Sequence, residues 1–395
     1  MTTVDPRVGP AGAASGPFAA TNAGPSAADR AVKRRRLGDL LDRRGAASLV
    51  LRSHTALAWY LDGPRTHVSL AGDPVLAVVV TPTGDELHVF ANEADRLFAE
   101  ELGDTSGLAV TEVPWHEALA PSGIAELEEA DVAVDLRAAR ASLLPAELAR
   151  YRVLCREVAE VLTDAATGAR PSDAERDVAA RLASGLATRG IDPLVTLVAG
   201  RSRLAHRHPL PTAAPIGDRA MLVVCGRRHG LIANATRWVR FAPADPAEAD
   251  AARRILDVES AFLGATRPGA TLGEVFAAGI AAYARNGFDP DEWRRHHQGG
   301  AAGYAGRDPR AVPGTADLVR AGQPFAWNPT APGAKVEDTV VVGERGIEVL
   351  TVDHRWPTTR VSGLDRPLEL EREPSGGGKV ERAIDRSGWD RVALG

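Results

Sequence analysis

Phe325-Ala-Trp-Asn-Pro329, followed by Lys335-Val-Glu-Asp-Thr-Val-Val-Val342, is the stretch on which the reading of this chain turns. Residues 323–327, with the aromatics Phe325 and Trp327, and residues 336–342, rich in valine, are short runs, and each reads as a buried strand. Glu337 and Asp338 sit inside the second strand. An ionised carboxylate in such a sheet needs a partner, and Arg237 and Lys335 are the candidates. Upstream, residues 194–198, 220–225 and 231–239 read as three more strands. Leu148, Tyr151, Leu154, Cys155, Val158 and Leu162 form one helical stripe. Ser172-x-x-Glu175 and Thr271-x-x-Glu274 have the form of capping boxes that open helices, and residues 251–263 supply a further amphipathic helix.

The first part of the chain reads differently. A helix over 31–44, a strand over 47–52, a short helix over 54–61, a hairpin from 74–80 and 86–90, and a helix over 93–102 describe a smaller α/β domain. The expected division is a disordered tail over 1–29, an N-terminal α/β domain over 30–140, an α+β domain over 141–362, and a flexible, charged tail over 363–395. The basic run Arg30-Ala-Val-Lys-Arg-Arg-Arg36 is expected to form a solvated helix turn.

A chain of 395 residues with net charge −5 has room for two domains and no strong pull toward nucleic acid or a membrane surface. With no apolar run long enough to span a bilayer and only Cys155 and Cys225 as cysteines, a cytoplasmic protein without disulfides is expected.

Two stretches, 200–237 and 297–342, resemble the catalytic half of the creatinase, aminopeptidase P and prolidase family. Phe325-Ala-Trp-Asn-Pro329 is similar to the family's F-x-x-E-P, and Lys335–Val342 to R-x-E-D-T-V-x-V. Met221-Leu-Val-Val-Cys-Gly226 and Leu231-Ile-Ala-Asn-Ala-Thr-Arg237 are similar to its two aspartate-bearing segments. Gln298-Gly-Gly-Ala-Ala-Gly-Tyr304 is similar to x-x-H-x-x-G-L. The resemblance implies a C-terminal pita-bread domain with a smaller N-terminal creatinase-like α/β domain, an α+β protein as a whole. It also implies a paired-metal centre, and here the chain departs from it. The five ligand positions hold Cys225, Asn234, Gly300, Asn328 and Glu337. Two divalent ions close together need several ionised oxygens, so no metal and no cofactor are expected.

The expected activity is then metal-independent hydrolysis of a C–N bond in a small polar molecule, as creatinase performs on this fold. A pseudo-peptidase that only binds a ligand or partner is the alternative, and a metallopeptidase with a remodelled metal site is third. Gly200-Arg-Ser-Arg-Leu-Ala-His206 resembles the family's G-x-x-S-x-x-P-H segment, so the resemblance favours His206 as proton shuttle, with His208, three residues before Pro211, behind it; an imidazole suits that role because it titrates near neutral pH. Glu337 would orient or activate water, and His297 would polarise a carbonyl. Asn234, Asn328, Tyr304 and Arg237 would bind substrate. Cys225 is a further lining residue, with a lesser reading as a nucleophile. The resemblance also implies a homodimer in which an N-terminal-domain arginine completes the neighbour's site; Arg65 is the matching candidate.

Overall fold

In a computed structural model of the chain, the structure describes residues 27–373 apart from 104 and 106. Of the tails expected over 1–29 and 363–395, residues 1–26 and 374–395 lie outside the described residues, while residues 27–29 belong to the first helix.

The N-terminal domain is one mixed five-stranded sheet, in the order Leu108–Val113, Asp85–Phe90, Leu76–Val80, Leu49–Leu51 and Leu127–Glu128. Its helices are Ala27–Arg44, His54–Tyr60, Ala91–Arg96 and Ala133–Arg140. Leu37, Leu40 and Leu41 bury one face of the first helix. Lys33 on that helix is not solvated, contrary to expectation. It has no exposed surface, and its Nζ lies 2.9 Å from Asp62 and 2.7 Å from Glu147 of the second domain. An apolar helix face and two buried carboxylates draw the ammonium inward, and pairing offsets its desolvation.

The second domain is built on two four-stranded sheets. One runs Leu370–Glu371, Leu231–Arg240, Arg219–Arg228, Asp192–Gly200; the other runs Gly346–Val349, Asp338–Gly343, Pro324–Trp327, Gly299–Ala301. Single bridges at Ile232–Gly303 and Thr236–Glu337 join them. Helix Pro145–Gly168 packs behind the first sheet, where Tyr151 donates to the carbonyl of Ile232 at 2.7 Å. Helices Pro246–Ala265 and Leu272–Arg285 cover the second.

The Thr271 box forms as read: Glu274 N donates to Thr271 Oγ1, and Thr271 N to Glu274 Oε2. The Ser172 box does not. Glu175 is buried, and its carboxylate instead takes hydrogen bonds from Gly200 N and Thr212 at 2.7–2.9 Å, with Arg203 beside it. The flexible tail expected from 363 also needs correction. Leu364–Pro367 pairs with Thr358–Val361, and Arg366 is buried, donating 2.7 Å to Glu259 and 2.8 Å to Asp338. A guanidinium between two buried carboxylates holds the segment down.

Candidate active site

The long hairpin Arg219–Arg228/Leu231–Arg240 turns through only two residues, His229 (φ 51°) and Gly230 (φ 76°). That is the primed type of turn that suits strand twist. It fixes the register so that Cys225 and Asn234 stand directly opposite one another. Across the Thr236 bridge lies Glu337, and the turn after Trp327 brings Asn328. These side chains face a cavity of 870 Å³ lined also by His208, His297, Arg307, Arg310 and Lys335, with Leu194, Leu197 and Val223 as apolar wall. That size suits a small molecule.

Glu337 is the centre of the arrangement. Arg307 Nη2 donates to its Oε1 at 2.6 Å, Thr236 Oγ1 donates to its Oε2 at 2.8 Å, and Lys335 Nζ stands 3.4 Å from Oε2. Burial by itself would raise its pKa. Lys335 and Arg307 outweigh that and hold it down at about 2. Of the two cations expected to partner it, Lys335 does so. Arg237 does not reach the carboxylate: it donates to Asp338 and to the carbonyl of Thr351, both at 2.8 Å.

The loop that carries Arg307 and Arg310 is tied to the N-terminal domain, where Arg140 pairs with Asp308 and Arg137 Nε reaches Asp317 at 2.8 Å. The backbone of Arg310 bridges to Gly300, but among the described residues its side chain has no hydrogen-bond or ion-pair partner, and it is exposed at the cavity. Three cations against one carboxylate leave the cavity positive. Burial and these cations push the imidazoles down: His208 below its usual range, His297 to about 4 through burial, Arg307 and Arg310, and His296 to about 2 through burial, Lys335 and the neighbouring rings. All three are neutral near pH 7. His296 Nε2 lies 3.0 Å from His208 Nε2, and His296 stacks on His297 with ring centroids 4.4 Å apart. His296 Nδ1 and His297 Nδ1 are buried with no partner.

Asn234 Oδ1 and Asn328 Oδ1 are likewise buried without a partner. A carboxamide oxygen left so is an acceptor waiting for a donor. Cys225 lines the cavity, but burial and the charge of Glu337 push its thiol up to about 12, so it is protonated and a poor nucleophile.

His206, favoured in the sequence over His208, is exposed and is not among the residues lining the cavity. Arg207, pinned by Glu292 and by Thr330 at 3.0 Å, sets the loop so that His208 takes the inward place. Tyr304 points the other way: its hydroxyl donates to Glu147 at 2.5 Å, in the buried cluster with Lys33. Arg65, expected to reach a neighbouring subunit's site, pairs with Glu101 within its own chain and is mostly exposed. His296, Arg307 and Arg310 were not anticipated; the adjacent His296-His297 pair was the one sequence signal for the first.

Paired divalent ions do not fit this centre. Both oxygens of Glu337 are already engaged by cations and a hydroxyl. At Gly300 a Cβ would stand 2.4 Å from the carbonyl of Pro309 and 2.8 Å from Ala311 N. The loop 309–311 occupies the space that a side chain at position 300 would need.

Residues 149–344 match the model of metallopeptidase family M24. The prolidase of Pyrococcus horikoshii OT3 is similar in structure, with TM-score 0.68 and 16% identity, covering 82% of this chain and 99% of that one. The dipeptidase PepE of Mycobacterium ulcerans has TM-score 0.69 and 20% identity over 87% of this chain and 98% of its own. Both likenesses establish the pita-bread fold. A curated relative, the agropine synthesis cyclase of Rhizobium rhizogenes, is 31% identical over 164 residues, 38% of this chain. The match spans 41% of that relative, less than half its length.

Proposed function

We propose, for a chain whose residues 149–344 form a domain of metallopeptidase family M24, that it is a small-molecule hydrolase in which fixed side-chain cations stand in the place of the family's two metal ions. The observation that carries this reading is the binding of Glu337 by Arg307 and Lys335 at the base of a cavity walled by neutral imidazoles. The substrate is a small polar molecule bearing a carboxylate, because the cavity holds a surplus of positive charge with Arg310 unengaged. Asn234 and Asn328 offer carbonyl oxygens to its N–H or O–H groups.

Hydrolysis of a C–N bond in this setting needs a proton acceptor and a stabiliser for the oxyanion. His208, neutral and facing the cavity, takes the proton from the attacking water and returns it to the leaving nitrogen. Arg307 and Lys335 supply fixed positive charge for the developing oxyanion, which costs no reorganisation at the moment of reaction. Glu337 is a poor base at a pKa of about 2; its role is to position the two cations. In this it departs from the water-activating part the sequence suggested.

The relative named as a cyclase favours a second reading on the same residues. Where a ring is closed through an acyl bond, closure expels water and is the reverse of ring hydrolysis. One site serves both directions, so the panel that tests the proposal contains both: open and cyclic amides, amidines and esters, each with and without a carboxylate, assayed in the presence of a chelator. The expected result is turnover confined to carboxylate-bearing members. His208→Ala should lower kcat by ~10²–10⁴-fold, the contribution of a general acid or base. Carboxylates that bind with no member turned over would make the chain a binding protein.

A further inference from the structure

His208, His296 and His297 come from two separate loops, 206–210 and 296–298, and none of them occupies one of the five ligand positions implied by the family resemblance. One ligand nitrogen from each lies within 4.8 Å of the other two. Two imidazole nitrogens on one tetrahedral ion, each about 2.0–2.1 Å from it, stand roughly 3.3 Å apart. The Nε2 atoms of His208 and His296 are already at 3.0 Å. Two neutral rings in that contact share one proton, and the buried Nδ1 atoms of His296 and His297 have nothing to bind. Left to itself the trio is an under-satisfied polar cluster, and the cost falls on His296, the buried member of the three.

We propose that this trio is a binding site for one zinc-type transition-metal ion, and that occupying it switches the protein off. Three imidazoles leave a fourth position open toward the cavity, where the positive surroundings favour an anion, chloride or carboxylate, as the last ligand. Arg307, Arg310 and Lys335 oppose a dication, so the anion is part of the site. With the metal bound, the lone pair of His208 is committed and cannot take a proton. The inhibitory consequence rests on the function proposed above; the metal site itself does not.

The test uses the full chain, stripped of metal, titrated with zinc by calorimetry and with cobalt(II) by visible absorption, in chloride buffer. One equivalent should bind, with the absorption of tetrahedral cobalt. His296→Ala and His208→Gln should each weaken binding at least ~10-fold, the low end of what even an outer-shell partner costs a metal site, while Cys225→Ser leaves it unchanged. His208 is exposed, so its substitution tests the site even where His296→Ala fails to fold. Binding unaffected by both histidine variants, no tetrahedral cobalt band, or two equivalents lost with Cys225→Ser would overturn the proposal. Zinc should abolish turnover. Zinc that binds through the trio and raises turnover would leave the metal site standing and overturn the metal-free reaction.

Discussion

Replacing Glu337 by Gln separates a charge that positions cations from a base that attacks. Glu337 is 2% exposed, and the side chains of Arg307 and Lys335 are 8% and 4% exposed. The amide keeps the shape and one acceptor for Arg307 or Thr236, but it removes the only carboxylate between two buried cations. Breaking a buried pair from one side costs ~3–5 kcal/mol. For a domain of this size each kcal/mol moves the midpoint by about 2–4 °C, so Tm should fall by roughly 6–20 °C. The charge is also robust to acid. With the folded pKa at about 2 against 4.5 when free, its stabilisation is full above 4.5 and is lost only as pH falls toward 2. The assay is thermal unfolding at pH 7, beside the double variant with Lys335→Met, which removes one stranded cation and should recover part of the loss. A Tm within 1–2 °C of wild type, with no recovery in the double variant, would refute the ion-pair account and return Glu337 to the role of a free base.

In metal-stripped protein, His296 and His297 should make the fold acid-sensitive. Their folded pKa values, about 2 and about 4, lie below the free value of 6.5. The stabilisation is therefore full above pH 6.5 and declines as pH falls toward 4, and a urea midpoint that tracks pH less steeply in His297→Gln than in wild type checks it. Cys225 should resist iodoacetamide at pH 8 in the native state and react on unfolding; rapid native alkylation would show a thiolate that the structure does not hold. Asp338→Asn should cost ~3–5 kcal/mol, because Arg237 loses its buried counter-charge and Arg366 keeps only Glu259 of its two; a change under ~1 kcal/mol would mean that water reaches Arg237.

The strands and helices that were legible in the sequence are those with strong pattern. The 219–240 hairpin, the Thr271 cap and the stripe on Pro145–Gly168 follow from periodicity and local chemistry, and the resemblance located Glu337, Asn234 and Asn328 in one cavity. What escaped is what depends on charge meeting charge across long separations. Lys33 and Arg366 look like surface cations until Asp62, Glu147, Glu259 and Asp338 are brought beside them. Arg307 and Arg310 lie in an irregular loop with no periodicity to read, and their place is set by Arg140 and Asp308 from different domains. The choice of His208 over His206 rests on how Arg207 is anchored, which two residues of register could not decide.

Arg366 also sets an order of events during synthesis. Asp338 stands on the strand next to Glu337 and waits for a counter-charge 28 residues further along the chain. At ~5–20 residues per second, that interval lasts about 1–6 s, during which the sheet emerges with Asp338 short of one of its two arginine partners. The strand that follows Glu337 can therefore reach its final electrostatic state only after residue 366 has been made, and a nascent chain stalled between these points should remain open to proteases at the very sheet that later resists them.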